Sequence, residues 1–337
     1  MERLARRVMI LYNEPTDASD ASDKGVLGEV QDVSAALEAT GHAVETAGLT
    51  RKNLFEVLSR AADQRSELVV FNLCEGIEGE ARQEATVAGL LELCRLRYTG
   101  SGSTTLACAL DKRITKALLA AGGVPTPGGQ IFRSVPREAL VRDLVGFPLV
   151  VKPLREDASV GLSRESLVRT PEELCGRVAY VLDRHRQPAL VEVYLEGREF
   201  NLAVIGHGQT ARVLPISEIV FEGYGPEEPR LVTHDAKWAQ GSADDRRTVP
   251  RCPAQVDEPL RARLEALALP AYRTLECRDY ARVDVRLDAK GRPHVLEVNP
   301  NPDISRGAGL ARAVEASGER YESFVADVVE WAWCRSC

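Results

Sequence analysis

The sequence has no long apolar run, no strongly basic stretch and few histidines, and each shortage excludes a class of protein. No apolar run approaches the roughly 18–20 residues that a membrane-spanning helix needs. The net charge is −7, and no lysine and arginine stripe with interleaved aromatic residues occurs, which argues against a nucleic-acid-binding surface. The five histidines show no metal-ligand spacing. What remains is a 337-residue chain with the composition of an ordinary soluble globular protein.

The sequence also lacks a recognisable export signal. The apolar residues at 8–12 form too short a run for a signal peptide and fit a first buried strand better. We therefore expect a cytoplasmic location and reduced thiols for the eight cysteines. Cys334 and Cys337 have the spacing of a redox or metal-binding pair, but no helix follows them to lower a thiol pKa, so ordinary thiols are the favoured interpretation.

Two common nucleotide-binding motifs are missing as well. The pattern GxxxxGK[ST] occurs nowhere, and no GxGxxG follows a strand. Instead, Lys152 lies at the end of an apolar strand, and the loop 154–162 after it offers small residues and backbone N–H groups able to fold over phosphates. A lysine at such a position either binds phosphate or extends its ammonium group to water, and taken alone the local sequence favours neither.

The first hundred residues alternate between strand and helix patterns. Strand patterns occur at 8–12, 43–46 and 68–72, and helical patterns at 27–40, 52–62 and 84–94. This alternation predicts a parallel sheet with right-handed crossovers.

Further helix and strand patterns follow, and the last part of the chain, from 199 onward, has the pattern of an antiparallel α+β unit. Helices are predicted at 109–121, 171–184 and 311–333, and strands at 147–153, 189–194, 199–205 and 212–219. Between them, the polar segment 221–250 has the length of a functional or disordered loop.

The most informative segment is 281–305, ARVDVRLDAKGRPHVLEVNPNPDIS. Charged and apolar residues alternate from 282 to 287, a turn follows, and a second strand runs through Val298. If the turn closes between Leu287 and Arg292, Arg282 faces Glu297 and Asp284 faces Val295.

In that register, Asp284 and Glu297 are diagonal neighbours roughly 7–8 Å apart, and Asn299 points to the same side. Such oxygen ligands suit Mg²⁺, which takes one or two carboxylates plus phosphate oxygens. The alternative is an exposed polar face of an antiparallel strand. The Asn-Pro-Asn-Pro sequence that follows cannot continue a ladder, so the chain turns away where the ligands end, which favours the metal site.

Five segments, in this order, resemble the ATP-grasp superfamily and most closely its D-alanine–D-alanine ligase branch. They are TVAGLLELCRLRYTGSG (86–102), ALDKRITKALLAAGGVPTP (109–127), FPLVVKPLREDASVGLS (147–163), LVEVYLEGREF (190–200) and ARVDVRLDAKGRPHVLEVNPNP (281–302). The resemblance implies an ATP-grasp fold of mixed α/β and α+β class. A parallel α/β N-terminal domain at 1–108 would precede two α+β lobes, at 109–188 and 189–337, which enclose ATP.

The resemblance also implies roles in nucleotide binding. Lys112 and Lys152 would bind the α- and β-phosphates, and Lys237, in the predicted loop, the γ-phosphate. Three residues would line the adenine and one glutamate would bind the ribose: Glu192, Val193, Leu195 and Glu199.

Metal binding and catalysis follow from the same resemblance. Two Mg²⁺ ions, for which Mn²⁺ is an alternative, would be held by Asp284, Glu297 and Asn299. Arg282 and Ser159 would be catalytic, with Arg282 stabilising an acyl phosphate and a tetrahedral intermediate.

The amino-acid half of the site departs from the family. The Glu-Arg-Glu-Val-Ser type segment, whose second glutamate binds the ammonium group of the first D-alanine, is absent from 13–28. Where the family binds the second D-alanine, the substrate-binding candidates here are Asp303, Ser305 and Arg306. Because a site built to hydrogen-bond one substrate rejects analogues, we expect other substrates.

The expected activity is ATP-dependent amide or peptide bond formation between a small-molecule carboxylate and an amine, through an acyl phosphate. The alternatives are a D-alanine–D-alanine ligase of peptidoglycan precursor synthesis and a non-catalytic nucleotide-binding module, while an oxidoreductase has less support. A homodimer formed through the N-terminal domain is an expectation from the resemblance.

Overall fold

The computed structural model describes residues 4–16, 21–138, 146–157, 159–225, 228–239 and 241–335. Its N-terminal part is a parallel sheet with the strand order β2-β1-β3-β4. The strands are β1 (Arg7–Asn13), β2 (Ala43–Leu49), β3 (Leu68–Leu73) and β4 (Arg97–Tyr98). The helices between them are α1 (Ala21–Ala39), α2 (Leu54–Asp63) and α3 (Gln83–Leu93). The predicted parallel α/β arrangement is confirmed.

The middle of the chain forms a second, antiparallel sheet with the order β5-β8-β6-β7. Its strands are β5 (Gly129–Phe132), β6 (Leu149–Pro153), β7 (Leu167–Val168) and β8 (Ala189–Val193). Helix α6 (Pro171–Arg184) covers one face, where Leu174, Val178 and Val181 pack on the sheet.

The single helix predicted at 109–121 is wrong, because the chain forms α4 (Ser103–Leu110) and α5 (Lys112–Ala121) instead. Asp111 between them has an extended backbone, with ψ 101°, and its carboxylate accepts hydrogen bonds from the backbone N–H groups of Arg113 (3.1 Å) and Ile114 (3.3 Å). An aspartate that satisfies the first free N–H groups of a helix starts a new helix at the next residue.

The largest sheet has the order β12-β11-β9-β13-β14, with β10 paired to β9. The strands are β9 (Glu199–Gly206), β10 (Arg212–Val213), β11 (Ser217–Phe221), β12 (Thr248–Arg251), β13 (Asp279–Leu287) and β14 (Pro293–Asn299). Helix α9 (Glu258–Thr274) packs against it through Leu264, Ala268 and Ala271. The strand predicted at 212–219 is therefore two strands.

The segment 221–250 is not one long loop, as predicted. It contains α7 (His234–Trp238) and α8 (Ala243–Arg247) and leads into β12. Thr233 and Ser242 start these helices, since their hydroxyl groups accept hydrogen bonds from Ala236 N (3.2 Å) and Asp245 N (3.0 Å).

The helix predicted at 311–333 is also two helices, α10 (Gly309–Ala316) and α11 (Tyr321–Cys334). Gly318, with φ +84°, lies in the break. Helix α11 shares one core with β1 and α1, so both ends of the chain meet there. The domain boundaries stay predictions. Cys334 is exposed, and Cys337 lies outside the described residues.

Candidate active site

A cavity of about 620 Å³ lies between the middle sheet and the largest sheet. Its walls come from β6, β8, β9, β13 and β14, from the loop after β6, and from α7. Residues predicted to act together line it, although they are spread over nearly two hundred positions of the chain: Lys112, Lys152, Ser159, Glu192, Val193, Leu195, Glu199, Lys237, Arg282, Asp284, Glu297, Asn299 and Asp303. The fold thus brings the predicted nucleotide, metal and catalytic residues to one space.

The β13–β14 hairpin differs in register from the prediction. Asp284 lies directly opposite Glu297, and Arg282 opposite Asn299, rather than Asp284 facing Val295 and Arg282 facing Glu297. The predicted diagonal arrangement is therefore wrong, and the two carboxylates are cross-strand neighbours.

A β-bulge explains the difference. Leu296 is the extra residue, because Val285 pairs with Val295 while Asp284 pairs with Glu297. The bulge lets Val295 and Val298 both enter the core, although residues three apart on a regular strand face opposite sides. It thereby turns Glu297 to the same face as Asp284.

Within the hairpin, Arg282 holds Asp284. Its Nε and Nη2 donate to the two oxygens of Asp284 at 2.7 and 2.9 Å, and Asn201 Nδ2 donates to Oδ1 at 2.7 Å. Arg282 Nη2 also lies 3.9 Å from Glu297 Oε1. The carboxylates are therefore fixed in place and face a guanidinium group.

Cations surround Glu297. Burial alone would raise its pKa, but Lys112, Lys237 and Arg282 outweigh the burial and lower the pKa to about 2. Lys112 Nζ lies 4.0 Å from Glu297 Oε2. Glu297 is therefore ionised at neutral pH, as a metal ligand or a phosphate-site carboxylate requires.

Two predicted residues, Lys152 and Glu192, form a buried ion cluster with a third that the sequence did not reveal. Lys152 Nζ lies 2.5 Å from Glu192 Oε2, and Lys116 Nζ contacts the other oxygen of Glu192. Burial would lower the pKa of Lys152, but Glu192 outweighs it and raises the pKa. Lys116 follows Lys112 by four residues on α5, and that spacing, which places both on one helix face, is the signal that could have found it.

Glu199, the predicted ribose residue, is also held by an arginine that the prediction missed. Arg286 Nη1 donates to Glu199 Oε2 at 2.9 Å, and Arg286 Nη2 donates to Tyr194 Oη at 3.0 Å. Burial raises the pKa of Glu199. Arg286 shares the β13 face with Arg282 and Asp284, so the strand alternation alone could have indicated it.

The loop after β6 and the α7–α8 segment meet over the cavity. His234 N donates to Leu162 O at 3.1 Å, and Arg164 contacts Asp244 and lies 3.7 Å from Glu228. Lys237 of α7 lines the cavity, and burial, with Arg282 adding, lowers its pKa. These contacts join the two segments that would cover a bound nucleotide.

Ser159 lies in this loop with φ +62°, a conformation that non-glycine residues adopt at a cost. Its neighbour Ala158 lies outside the described residues. Arg177 of α6 holds the far side of the loop, since its Nη2 donates to Gly161 O at 2.6 Å and to Ser166 Oγ at 2.9 Å.

Only one of the three predicted substrate residues lies at the cavity. Asp303 lines the cavity, whereas Ser305 and Arg306 are not among the described residues that line it. Arg306 Nη2 instead donates to Glu322 Oε1 at 2.6 Å, at the protein surface. The cavity wall there includes residues that the sequence did not single out: Glu75, Glu84, Asn301 and Arg312. Only proximity in the fold reveals them.

Comparison with known proteins identifies the fold. The chain resembles the crystal structure of the Bacillus anthracis D-alanine–D-alanine ligase complexed with ATP, with a TM-score of 0.75, 22% identity, and coverage of 98% of this chain and 97% of that one. The fold is that of an ATP-grasp protein, as predicted. Within the described residues, no helix is long and apolar enough to cross a membrane.

Sequence comparison defines the family. The model of the D-ala D-ala ligase C-terminus matches residues 133–330. A Cupriavidus taiwanensis D-alanine–D-alanine ligase is 34% identical over 255 residues, 75% of this chain and 73% of that protein. An uncharacterized Sinorhizobium fredii protein is 38% identical over 268 residues, 80% of this chain and 75% of that protein. The chain belongs to the D-alanine–D-alanine ligase family, whose members are ATP-dependent ligases that form carbon–nitrogen bonds.

Proposed function

We propose that this protein is an ATP-dependent ligase that joins a carboxylate to an amine and uses amino acids other than two D-alanines. Membership of the family supports the reaction class. The observation that carries the proposal is the convergence of two carboxylates and a cluster of cations in one cavity. Mere nucleotide binding does not require that full set.

In this proposal, the lysines bind the phosphates of ATP. Lys112 and Lys152 lie beside the carboxylates of the cavity, and Lys237 lies on the α7 side, where it would meet the γ-phosphate. Glu192, Val193 and Leu195 would line the adenine and Glu199 the ribose. The pairing of Lys152 with Glu192 supports this arrangement, because it holds the ammonium group at a defined point.

The donor set of the hairpin fits Mg²⁺. Asp284 and Glu297 are cross-strand neighbours, and Asn299 adds a carboxamide oxygen on the same strand as Glu297. Within the described residues, no group of three or more His, Cys, Asp or Glu side chains could hold a metal ion by itself. A Mg²⁺ ion held by the hairpin would complete its coordination with phosphate oxygens and water. Bound Mg²⁺ would neutralise the charge of the terminal phosphates.

The chemistry follows from this placement. A carboxylate oxygen of the first substrate attacks the γ-phosphorus, the bond from the γ-phosphorus to the ADP oxygen breaks, and an acyl phosphate forms. The nitrogen of the amine then attacks the acyl carbon, phosphate leaves, and the nitrogen loses a proton to give the amide. Arg282 would stabilise the negative charge that develops in both steps, while the two covering segments exclude water that would hydrolyse the acyl phosphate.

The test is ADP and phosphate release, screened over pairs of amino acids, in the native protein and in Glu297→Gln. We expect the variant to lose turnover by on the order of a hundredfold or more, because it loses a carboxylate ligand of the Mg²⁺ that would neutralise the terminal phosphates. Glu196→Gln, an exposed glutamate on the β8–β9 connection, is the matched control and should keep full turnover. Absence of turnover with every carboxylate and amine pair would contradict the ligase proposal. A loss of ATP affinity alone would favour a nucleotide-binding module.

A D-alanine–D-alanine ligase is the second candidate, because several relatives carry that name. The rewritten amino-acid half of the cavity argues against it. Formation of the dipeptide from D-alanine at millimolar concentration would support this candidate and contradict the proposed substrate difference. The cytoplasmic location and the homodimer stay predictions.

A further inference from the structure

The end of the cavity that faces the N-terminal sheet is acidic. Glu75 follows β3, Glu84 lies in the first turn of α3, and Asp303 follows β14, and all three line the cavity. Glu29 of α1 is buried close by, and its Oε1 accepts a hydrogen bond from Ile304 N at 2.8 Å. Carboxylates from four separate elements thus meet next to the proposed reaction centre.

None of the carboxylates at this acidic end is ion-paired within the described residues, although Lys237 and Arg282 act on Glu75 and Asp303 through space. The hydrogen-bond donors to these carboxylates are neutral: Asn301 Nδ2 to Glu84 at 2.9 Å, and Ser305 N to Asp303 at 2.8 Å. Within the described part of the chain, no basic side chain forms an ion pair with Glu75, Glu84, Asp303 or Glu29. Carboxylates that share one wall of a cleft and have no ion-pair partner attract a cation.

The pKa values agree with this picture. The cavity partly desolvates Glu75, whose side chain is exposed to it, and raises its pKa to about 7; Asp303 and Asp157 add to the rise, and Lys237 opposes it. Burial and Asp157 raise the pKa of Glu84 to about 8. No cation outweighs the rise at Glu75, and none is among the causes that act on Glu84.

Arg312, on the same cavity wall, carries a guanidinium group that is in no ion pair within the described residues. Arg312 of α10 contacts Gly307 O, but its Nε is buried and has no hydrogen-bond partner within the described residues. Arginine donors suit a carboxylate. The amino-acid half of the cavity therefore offers a donor for one carboxylate and several carboxylates for ammonium groups.

We propose that this half of the cavity binds an amino acid whose side chain carries a second ammonium group, and that Glu75 and Glu84 determine this specificity. The inference rests on the proposed function, because it assigns a substrate class to that site. Two amino acids with uncharged side chains bring only their α-amino groups, one of which must be uncharged to attack the acyl phosphate. A diamino acid adds an ammonium group for the remaining carboxylates of the wall.

The experiment compares lysine with norleucine, in both enantiomers, because the two differ only in the terminal ammonium group. Binding is measured by calorimetry with Mg²⁺ and a non-hydrolysable ATP analogue present. We expect the native protein to bind lysine at least about tenfold more tightly than norleucine, as charge-assisted hydrogen bonds allow. In Glu75→Gln and Glu84→Gln this preference should fall towards unity. Glu56→Gln, an exposed glutamate in α2, is the matched control and should keep the preference.

Binding of the ATP analogue shows whether each variant is folded, and Asp303→Asn is an independent variant if one glutamine variant fails to fold. Equal affinity of the native protein for lysine and norleucine would overturn the inference. A lysine preference that survives in all three variants would overturn it too. If no amino-acid pair releases ADP but the lysine preference is present and depends on Glu75 or Glu84, the proposed function fails and the inference stands. If the protein releases ADP as efficiently with norleucine as with lysine, the proposed function stands and the inference fails.

Discussion

Replacing Glu192 with glutamine would test the charge balance on which the nucleotide end of the cavity depends. The Glu192 side chain is 4% exposed and lies between Lys116 and Lys152, which are 14% and 12% exposed. The variant keeps the size and one acceptor oxygen but removes the negative charge. Two desolvated ammonium groups then face each other without a carboxylate between them.

The expected cost is large compared with total stability. Removing one partner of a buried ion pair destabilises by about 3–5 kcal/mol, against about 5–15 kcal/mol for the unfolding of a typical protein. Because glutamine still accepts one hydrogen bond, we expect the lower end, about 3 kcal/mol. Urea unfolding at neutral pH measures this free energy. The exposed Glu196 supplies the control Glu196→Gln, for which we expect a change within about 0.5 kcal/mol.

The effect should depend on pH in a defined direction. Burial alone would raise the pKa of Glu192, but Lys152 and Lys116 outweigh it and hold the pKa below its ordinary value. A carboxyl group with a lowered folded-state pKa contributes its stability above its unfolded pKa and loses that contribution as the pH falls through the folded value. The difference between the native protein and Glu192→Gln should therefore shrink in acid. A variant as stable as the Glu196→Gln control at neutral pH would refute the reasoning.

Two further substitutions test the loop after β6, which we propose covers the phosphates, and the acidic end of the cavity. Gly161→Ala should lower turnover roughly tenfold and cost about 1–3 kcal/mol in urea unfolding, because Gly161 has φ +76° and a Cβ there would lie 2.6 Å from Pro153 Cγ. Gly176→Ala, inside α6 with open space around it, should instead be neutral or stabilising, and equal behaviour of the two variants would contradict the strain argument. Glu84→Gln should be more stable than the native protein at pH 9 and equally stable at pH 5, measured by thermal unfolding. The pKa of Glu84 is raised to about 8 in the folded state, so the folded state binds more protons than the unfolded state below that pH. The stability of the native protein therefore falls as the pH rises towards 8, and the variant does not share this loss. Identical pH profiles of the two proteins would refute this explanation.

Much of the architecture was predictable because local patterns encode it. The alternation of strands and helices in the first hundred residues predicts the parallel sheet, and the helix at 171–184 was predicted with the observed bounds. Helix breaks were harder to predict. Asp111 and Gly318 divide helices whose apolar spacing is continuous on both sides, and only the cap and turn geometry separates them. Short helices such as α7 were missed because five residues give too little periodicity to detect.

The candidate site also has features that the sequence reveals and features that only the folded structure shows. The lysine at the end of β6 and the alternating charges of β13 are visible in the sequence, since each depends on residues close together along the chain. The bulge at Leu296 is not visible, because it depends on which valines the core accepts. The position of Arg306 was not predictable either, because Glu322, which binds it, belongs to another element.

The sequence by itself determined the order of the elements and the residue types that we propose bind ATP, because strand period, turn chemistry and motif order act over short stretches of chain. The tertiary structure decided which of those residues face each other. It placed Asp284 opposite Glu297 and gathered Glu75, Glu84 and Asp303 at one end of the cavity. Such proximity arises from packing between elements distant in sequence, and the electrostatic energies that select a substrate depend on distance and desolvation, which only the folded chain sets.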